Sequence, residues 1–247
     1  MTTVTASRGK ARIGILVPFT NVNLEADMAM LRPDGVSFHF QRLGGYDQDE
    51  IPDAEQMAGL GAAPLDQELR LIEGAKPDAI LYGCTSATLA HGVEFDQQLS
   101  AQIKASSGAT SITAAGALVF ALQTLGVKKI GFASPYVKLL NDDAIAFLGN
   151  AGFETVSRAD YPTALGNYGQ GELSPDQVLE QGLKADSPEA EVLVLSCTDM
   201  RSAEIVDRLE AVVNKPVVCS NQAMLFQTMK ALKLETSAVT CGELFKR

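Results

Sequence analysis

The 247-residue sequence predicts an α/β protein of two similar lobes, each a short parallel sheet flanked by helices, with a cleft between them. Three observations point to this fold class. Short apolar runs ending in Gly, Pro, Ser or Thr alternate with longer segments of helical period, which is the pattern of βαβ units. The second half of the chain repeats the first, element by element. No Pro/Ser-rich linker separates the halves, so the lobes are expected to pack closely.

Strands are expected, in order, at Ile13–Pro18, Val36–Gln41, Ala79–Tyr82, Thr110–Thr113, Ile130–Ala133, Glu154–Arg158, Val192–Leu195 and Pro216–Cys219. The longest apolar runs, such as Val192-Leu193-Val194-Leu195, are of strand length. Helices are expected at Glu25–Leu31, Asp53–Glu73, Val93–Ser106, Ala115–Leu125, Leu139–Ala151, Pro175–Lys184, Ser202–Val213 and Ala223–Leu232.

The repeat is visible in three places. Ile13-Gly14-Ile15-Leu16-Val17-Pro18 is answered by Ile130-Gly131-Phe132-Ala133-Ser134-Pro135, and Leu81-Tyr82-Gly83-Cys84-Thr85 by Leu195-Ser196-Cys197-Thr198. The strand ending at Thr113, followed by a helix with Phe120, is answered by the strand ending at Cys219, followed by a helix with Phe226. Residues 1–113 with 221–247 are therefore expected to form the first lobe and 114–220 the second, with the C-terminal helix returning to the first.

Composition removes several function classes. With 20 basic against 30 acidic residues the net charge is −10, and the basic residues are scattered, so nucleic acid is not an expected partner. The longest apolar runs are strand-sized, far short of the ~20 residues that cross a bilayer. The N-terminus lacks the basic-then-apolar pattern of a secretory signal, and a cytoplasmic location is expected. Cys84, Cys197, Cys219 and Cys241 are expected as free thiols, and with His39 and His91 they form no metal motif. No phosphate-cradling glycine loop is present, so neither metal nor organic cofactor is expected.

In open parallel sheets, ligands bind beyond the carboxyl ends of the strands. Those ends carry Pro18-Phe19-Thr20-Asn21, Cys84-Thr85-Ser86, Ser134-Pro135-Tyr136 and Cys197-Thr198-Asp199. Two related lobes facing one another would set Cys84 and Cys197 on opposite walls of one cleft. A cysteine opening a helix sits at the positive end of the dipole, which is expected to draw its pKa toward neutrality. Thr85, Ser86 and Thr198, with the neighbouring amides, would offer neutral donors to a carboxylate. Cys219 and Cys241 read as core thiols.

Pro18-Phe19-Thr20-Asn21-Val22-Asn23-Leu24-Glu25, with Gly83-Cys84-Thr85-Ser86 and Ser196-Cys197-Thr198, resembles the aspartate/glutamate racemase superfamily. Within it, the match is to the branch of maleate cis-trans isomerases and arylmalonate decarboxylases, nearest to the isomerases. The resemblance implies pseudo-twofold lobes, a cofactor-free site and a homodimer or larger homo-oligomer. It also implies catalytic roles for Cys84 and Cys197 and carboxylate-binding roles for Asn21, Tyr136 and Asn167. Arylmalonate decarboxylases have glycine in place of Cys84.

Thr20-Asn21 and Asp199 depart from the Asp-Ser turn and the histidine of amino-acid racemases, which argues against amino-acid racemisation. Arg201 is expected in a salt bridge, His39 along a strand, His91 one turn into the helix after Cys84, and Glu25 and Asp27 as charges favouring a helix N-terminus. The expected activity is cofactor-independent cis-trans isomerisation of a small unsaturated dicarboxylate such as maleate. The alternatives are a two-cysteine racemase or epimerase of a small carboxylic acid, an arylmalonate-type decarboxylase, and a non-catalytic small-acid-binding protein.

Overall fold

The computed structural model describes residues 9–44 and 54–247. The first half runs β1 (Ala11–Pro18), α1 (Asn23–Leu31), β2 (Val36–Leu43), α2 (Ala54–Ala62), α3 (Asp66–Glu73), β3 (Ala79–Tyr82), α4 (Thr85–Leu89), α5 (Gly92–Ser107), β4 (Thr110–Thr113) and α6 (Ala114–Leu125). The second runs β5 (Lys129–Ala133), α7 (Lys138–Asn150), β6 (Glu154–Ala159), α8 (Gly166–Glu172), α9 (Pro175–Lys184), β7 (Val192–Leu195), α10 (Val206–Val213), β8 (Val217–Cys219) and α11 (Ser220–Ala231).

These strands form two four-stranded sheets, ordered β2-β1-β3-β4 and β6-β5-β7-β8, parallel throughout. The identical order is the structural form of the sequence repeat. The registers agree as well, since Leu16 stands beside Tyr82 in one sheet and Ala133 beside Leu195 in the other. Central strands β3 and β7 are buried along their whole length, whereas edge strands β2 and β6 are mostly half-buried, which accounts for their alternating polar residues. All eight expected strands are present.

The helices differ from expectation in four places. The long helix expected over 53–73 is two, α2 and α3, separated at Pro64, whose ring restricts the residue before it and removes a helical N–H. Its first residue, Asp53, lies outside the described residues. Cys84 opens a helix of only five residues, α4, which stops before a turn where Gly92 has φ +83° and α5 begins. His91 therefore stands at the break between two helices, stacked on Phe95 with ring centroids 4.1 Å apart, rather than within one helix. Helix α8 was not expected, because Gly166, Gly169 and Gly171 lower helix propensity in its sequence. Finally, Cys197 is followed by an irregular turn and a 3-10 segment, Ala203–Ile205, before α10 begins.

Helices α6 and α11 each leave the last strand of one sheet and pack together, with the Phe120 and Phe226 rings 6.1 Å apart. Helix α11 also packs on α1. Thr113 caps α6 by accepting a hydrogen bond from the Gly116 amide at 3.0 Å. Among the described residues no helix is long and apolar enough to cross a membrane.

Candidate active site

The carboxyl ends of both sheets converge on one pocket. The first half contributes Pro18, Thr20 and Asn21 from the turn after β1, Met57 from α2, and Cys84, Thr85 and Ser86 from the β3–α4 junction. The second contributes Tyr136, Gln170, Cys197, Thr198 and Asp199. The two cysteines expected to share a cleft line the same pocket, and both are buried, 5 % and 3 % exposed.

Cys84 reaches the pocket because Gly83 lets the chain pass close to its neighbours. A Cβ at Gly83 would lie 2.4 Å from Leu24 Cδ2 and 2.9 Å from the Leu16 carbonyl oxygen. Gly83→Ala is therefore expected to lose roughly 1–3 kcal/mol by overpacking and, by shifting Cys84, about 10²-fold in kcat. A urea melt and steady-state rates would check this, and an active variant of unchanged stability would refute it.

Around Cys84 the amides of Ser86 and Ala87 and the Ser86 hydroxyl, at 3.8 Å, act to lower the thiol pKa. Burial outweighs them, the Asp199 carboxylate adds to it, and the Cys84 pKa rises above its ordinary value. Cys197 is pushed up to about 12, first by burial and then by Asp199, against opposing contacts from Tyr136 and the Asp199 amide. The expectation of depressed pKa values therefore fails. Helix α4 is too short for a strong dipole, Cys197 opens no helix, and burial of both side chains removes most of the water a thiolate needs. In the resting protein both groups are thiols.

Tyr136 turns its hydroxyl to Cys197 Sγ at 3.5 Å. Burial and the nearby thiols raise the Tyr136 pKa well above that of free tyrosine, so it remains a hydrogen-bond donor. Asn21 Oδ1 accepts from the amides of Asn23 and Leu24 at 3.2 and 3.0 Å, which fixes the start of α1. Its Nδ2 donates to Thr198 Oγ1 at 3.0 Å, and Thr198 passes its own proton to the Gly83 carbonyl at 2.9 Å. The two Cys-Thr turns are thus tied directly to one another. One N–H of Asn21 is spent on this link and the other is open to a ligand.

The Thr85 hydroxyl donates to Ser220 at 2.9 Å, and that of Ser86 points to Met57 Sδ at 3.1 Å. Asn167 lies on α8, buried, but it does not line the pocket. One turn later Gln170 does, with its side-chain amide donating to the Asn167 carbonyl at 2.7 Å. Gln170 and Met57 were missed from sequence. For Gln170 the signal would have been the helical spacing from Asn167, which the glycines of α8 disguise.

Asp199 was noted only as a departure from a pattern, yet it is 4 % exposed and lines the pocket. Arg201 forms a salt bridge with Glu204 at 2.6 Å, and His39 sits on β2 against Ser37 at 3.1 Å, both as expected. Glu25 pairs with Arg42 at 2.7 Å. Asp27 is not a simple surface charge at the start of a helix, because burial raises its pKa to about 7 while Asn221 holds it at 2.7 Å. Among the described residues, no group of three His, Cys, Asp or Glu side chains could hold a metal ion.

Comparison with known proteins agrees with this geometry. The family model of arylmalonate decarboxylase matches residues 13–245. The maleate isomerase of Pseudomonas putida is 30 % identical over 94 % of this chain and 96 % of its own. That of Nocardia farcinica is 27 % identical over 97 % of each. A solved structure of a cysteine-to-serine variant of the Nocardia farcinica maleate cis-trans isomerase, with a covalently bound succinylcysteine intermediate, has a TM-score of 0.85 at 26 % identity, covering 95 % of this chain and 98 % of that one. The crystal structure of arylmalonate decarboxylase shares the fold, with a TM-score of 0.78 at 19 % identity, covering 95 % and 99 %. Paired Cys-Thr turns joined across two equivalent sheets, together with a match along nearly the whole chain, lead to one conclusion: this chain belongs to the arylmalonate decarboxylase family, in the branch that holds the maleate isomerases.

Proposed function

We propose that the protein is a cofactor-independent cis-trans isomerase of a small unsaturated dicarboxylate, with maleate to fumarate as the model reaction. The observation that carries this reading is the pair of buried thiols in one pocket, each beside neutral hydrogen-bond donors. Cys84, having lost its proton to solvent, attacks one alkene carbon. A C–S bond forms, and the π pair moves to the neighbouring carbon as an enolate-like charge on its carboxylate. Cys197 delivers its proton to that carbon, helped by the Tyr136 hydroxyl, which stabilises the thiolate left behind. The former double bond is now single and rotates. Cys197 then removes the proton, the electron pair re-forms the double bond in the trans geometry, and the C–S bond breaks.

The second Nδ2 hydrogen of Asn21, the amides of the Cys-Thr turns and the Gln170 side chain would hold the two carboxylates, a reading supported by their position in or beside the pocket. The covalent succinylcysteine of the Nocardia farcinica enzyme supports the addition step. Four free thiols suit a reducing cytoplasm, and the family resemblance supports a homo-oligomer of two or more copies.

The test is proton NMR of maleate with the protein in deuterated buffer, where fumarate is expected to appear without decarboxylation. No turnover of maleate or of other unsaturated dicarboxylates, with deuterium instead entering a saturated chiral acid, would overturn the proposal in favour of a two-cysteine racemase.

A further inference from the structure

Asp199 is the one ionisable carboxyl among the described residues lining the pocket, and no lysine or arginine lines it. Its Oδ1 accepts from the Val22 and Asn23 amides at 2.8 and 3.0 Å and from Asn23 Nδ2 at 3.4 Å. Its Oδ2 is buried without a hydrogen-bond partner. Oδ2 packs close against Gly171, where a Cβ would come within 3.0 Å of it, so only glycine fits beside the carboxyl.

Of the groups around this carboxyl, Arg42 and the donors to Oδ1 favour its charge, and burial outweighs them. Helix α1 supplies the amides already named, with Glu25 and Asp27 further along. Strand β2 supplies Arg42, whose guanidinium is taken by Glu25 and by the carbonyls of Asn21 and Pro18. The strand ends supply the Cys84 and Cys197 thiols, and beyond Cys197 Tyr136 keeps its proton. Helix α8 adds Gly171 and the neutral Gln170 amide, with Glu172 exposed, and Arg201 is engaged by Glu204.

A dicarboxylate entering this pocket comes beside a buried carboxyl, one oxygen of which is saturated by amides while the other has no hydrogen-bond partner. Ionised, Asp199 would repel the substrate in a low-dielectric pocket. Protonated on Oδ2, it removes that repulsion and provides a charge-assisted O–H donor. Resting on the isomerase reading, we propose that Asp199 is a specificity-determining residue that binds a substrate carboxylate as the neutral acid, so that substrate binding takes up one proton from solvent at Oδ2. Burial already raises its pKa to about 6, so it is mostly ionised in the empty protein at neutral pH and protonated in the complex.

Two measurements test this. The first titrates the wild-type protein with succinate, a saturated dicarboxylate that cannot be isomerised, at pH 7.5 in buffers of different ionisation enthalpy. Nearly one proton taken up per site is expected, falling to near zero in Asp199→Asn, whose amide keeps an acceptor and a donor. The second compares kcat/KM for maleate in the two proteins across pH. Loss of the Asp199 charge lowers the Cys84 pKa, so each profile is first fitted for its own Cys84 ionisation; the remaining ratio of wild type to variant is expected to fall about tenfold per pH unit above the Asp199 pKa. A ratio flat from pH 5.5 to 8, or succinate bound by the wild type without proton uptake, would overturn the proposal. Maleate turnover with no such linkage would refute the Asp199 role and leave the isomerase reading standing. Proton-linked succinate binding without maleate turnover would do the reverse, and no response to either acid would overturn both.

Discussion

Cys84→Ser is expected to abolish isomerisation, lowering kcat for maleate by on the order of 10⁴-fold or more. Serine is a near isostere, so the pocket should remain intact, but its hydroxyl ionises far less readily than a thiol and adds poorly to an alkene. Nothing in the pocket compensates. Among the described residues lining it there is no histidine to take the hydroxyl proton. Circular dichroism and succinate binding would verify that the variant folds, and stopped assays analysed by NMR would measure residual fumarate. Activity near that of the wild type would remove Cys84 from the role of nucleophile.

Cys197→Ser should behave differently, because addition and proton transfer are separate jobs. Loss of a positioned acid/base costs typically 10²–10⁴-fold, and here it falls most heavily on release, since solvent can slowly supply the proton that completes the adduct while the thiolate that would remove it again is gone. The variant is expected to accumulate the substrate covalently on Cys84, visible in intact-protein mass spectrometry as a gain of one substrate mass and localised by peptide mapping. The reason is geometric. Tyr136 and the Asp199 amide face the residue-197 sulfur, while Cys84 keeps its own donors, so its addition chemistry survives the substitution. If neither variant forms an adduct and each retains proton exchange with one enantiomer of a saturated acid, the two thiols are instead the bases of a racemase.

Much of this was written in the chain. The eight strands and their duplication follow from local signals repeated twice, namely apolar runs of strand length, breakers at their carboxyl ends and the same succession of motifs in both halves, whereas the order of strands in each sheet came from the tertiary structure. Repetition is informative because two equivalent lobes must present equivalent turns, so Cys84 and Cys197 could be paired before any contact was known. The α2–α3 break had a visible cause in Pro64, whereas α8 had none. Its glycines argue against a helix until the neighbours are seen, and then a Cβ on Gly169 or Gly171 meets Leu165 or Asp199.

Sequence alone thus determined the parallel α/β architecture, its duplication and the two thiols at equivalent strand ends, because these depend on side-chain period and residue type along the chain. Tertiary structure alone decided the charge states and the closing contacts of the site. Whether a cysteine is thiol or thiolate depends on the balance between a few aligned amides and the loss of water, and burial wins at both thiols. Asn21 meets Thr198, and Gln170 and Asp199 reach the pocket, only when two segments distant in sequence are packed face to face, since hydrogen bonds and desolvation act through space over a few ångströms.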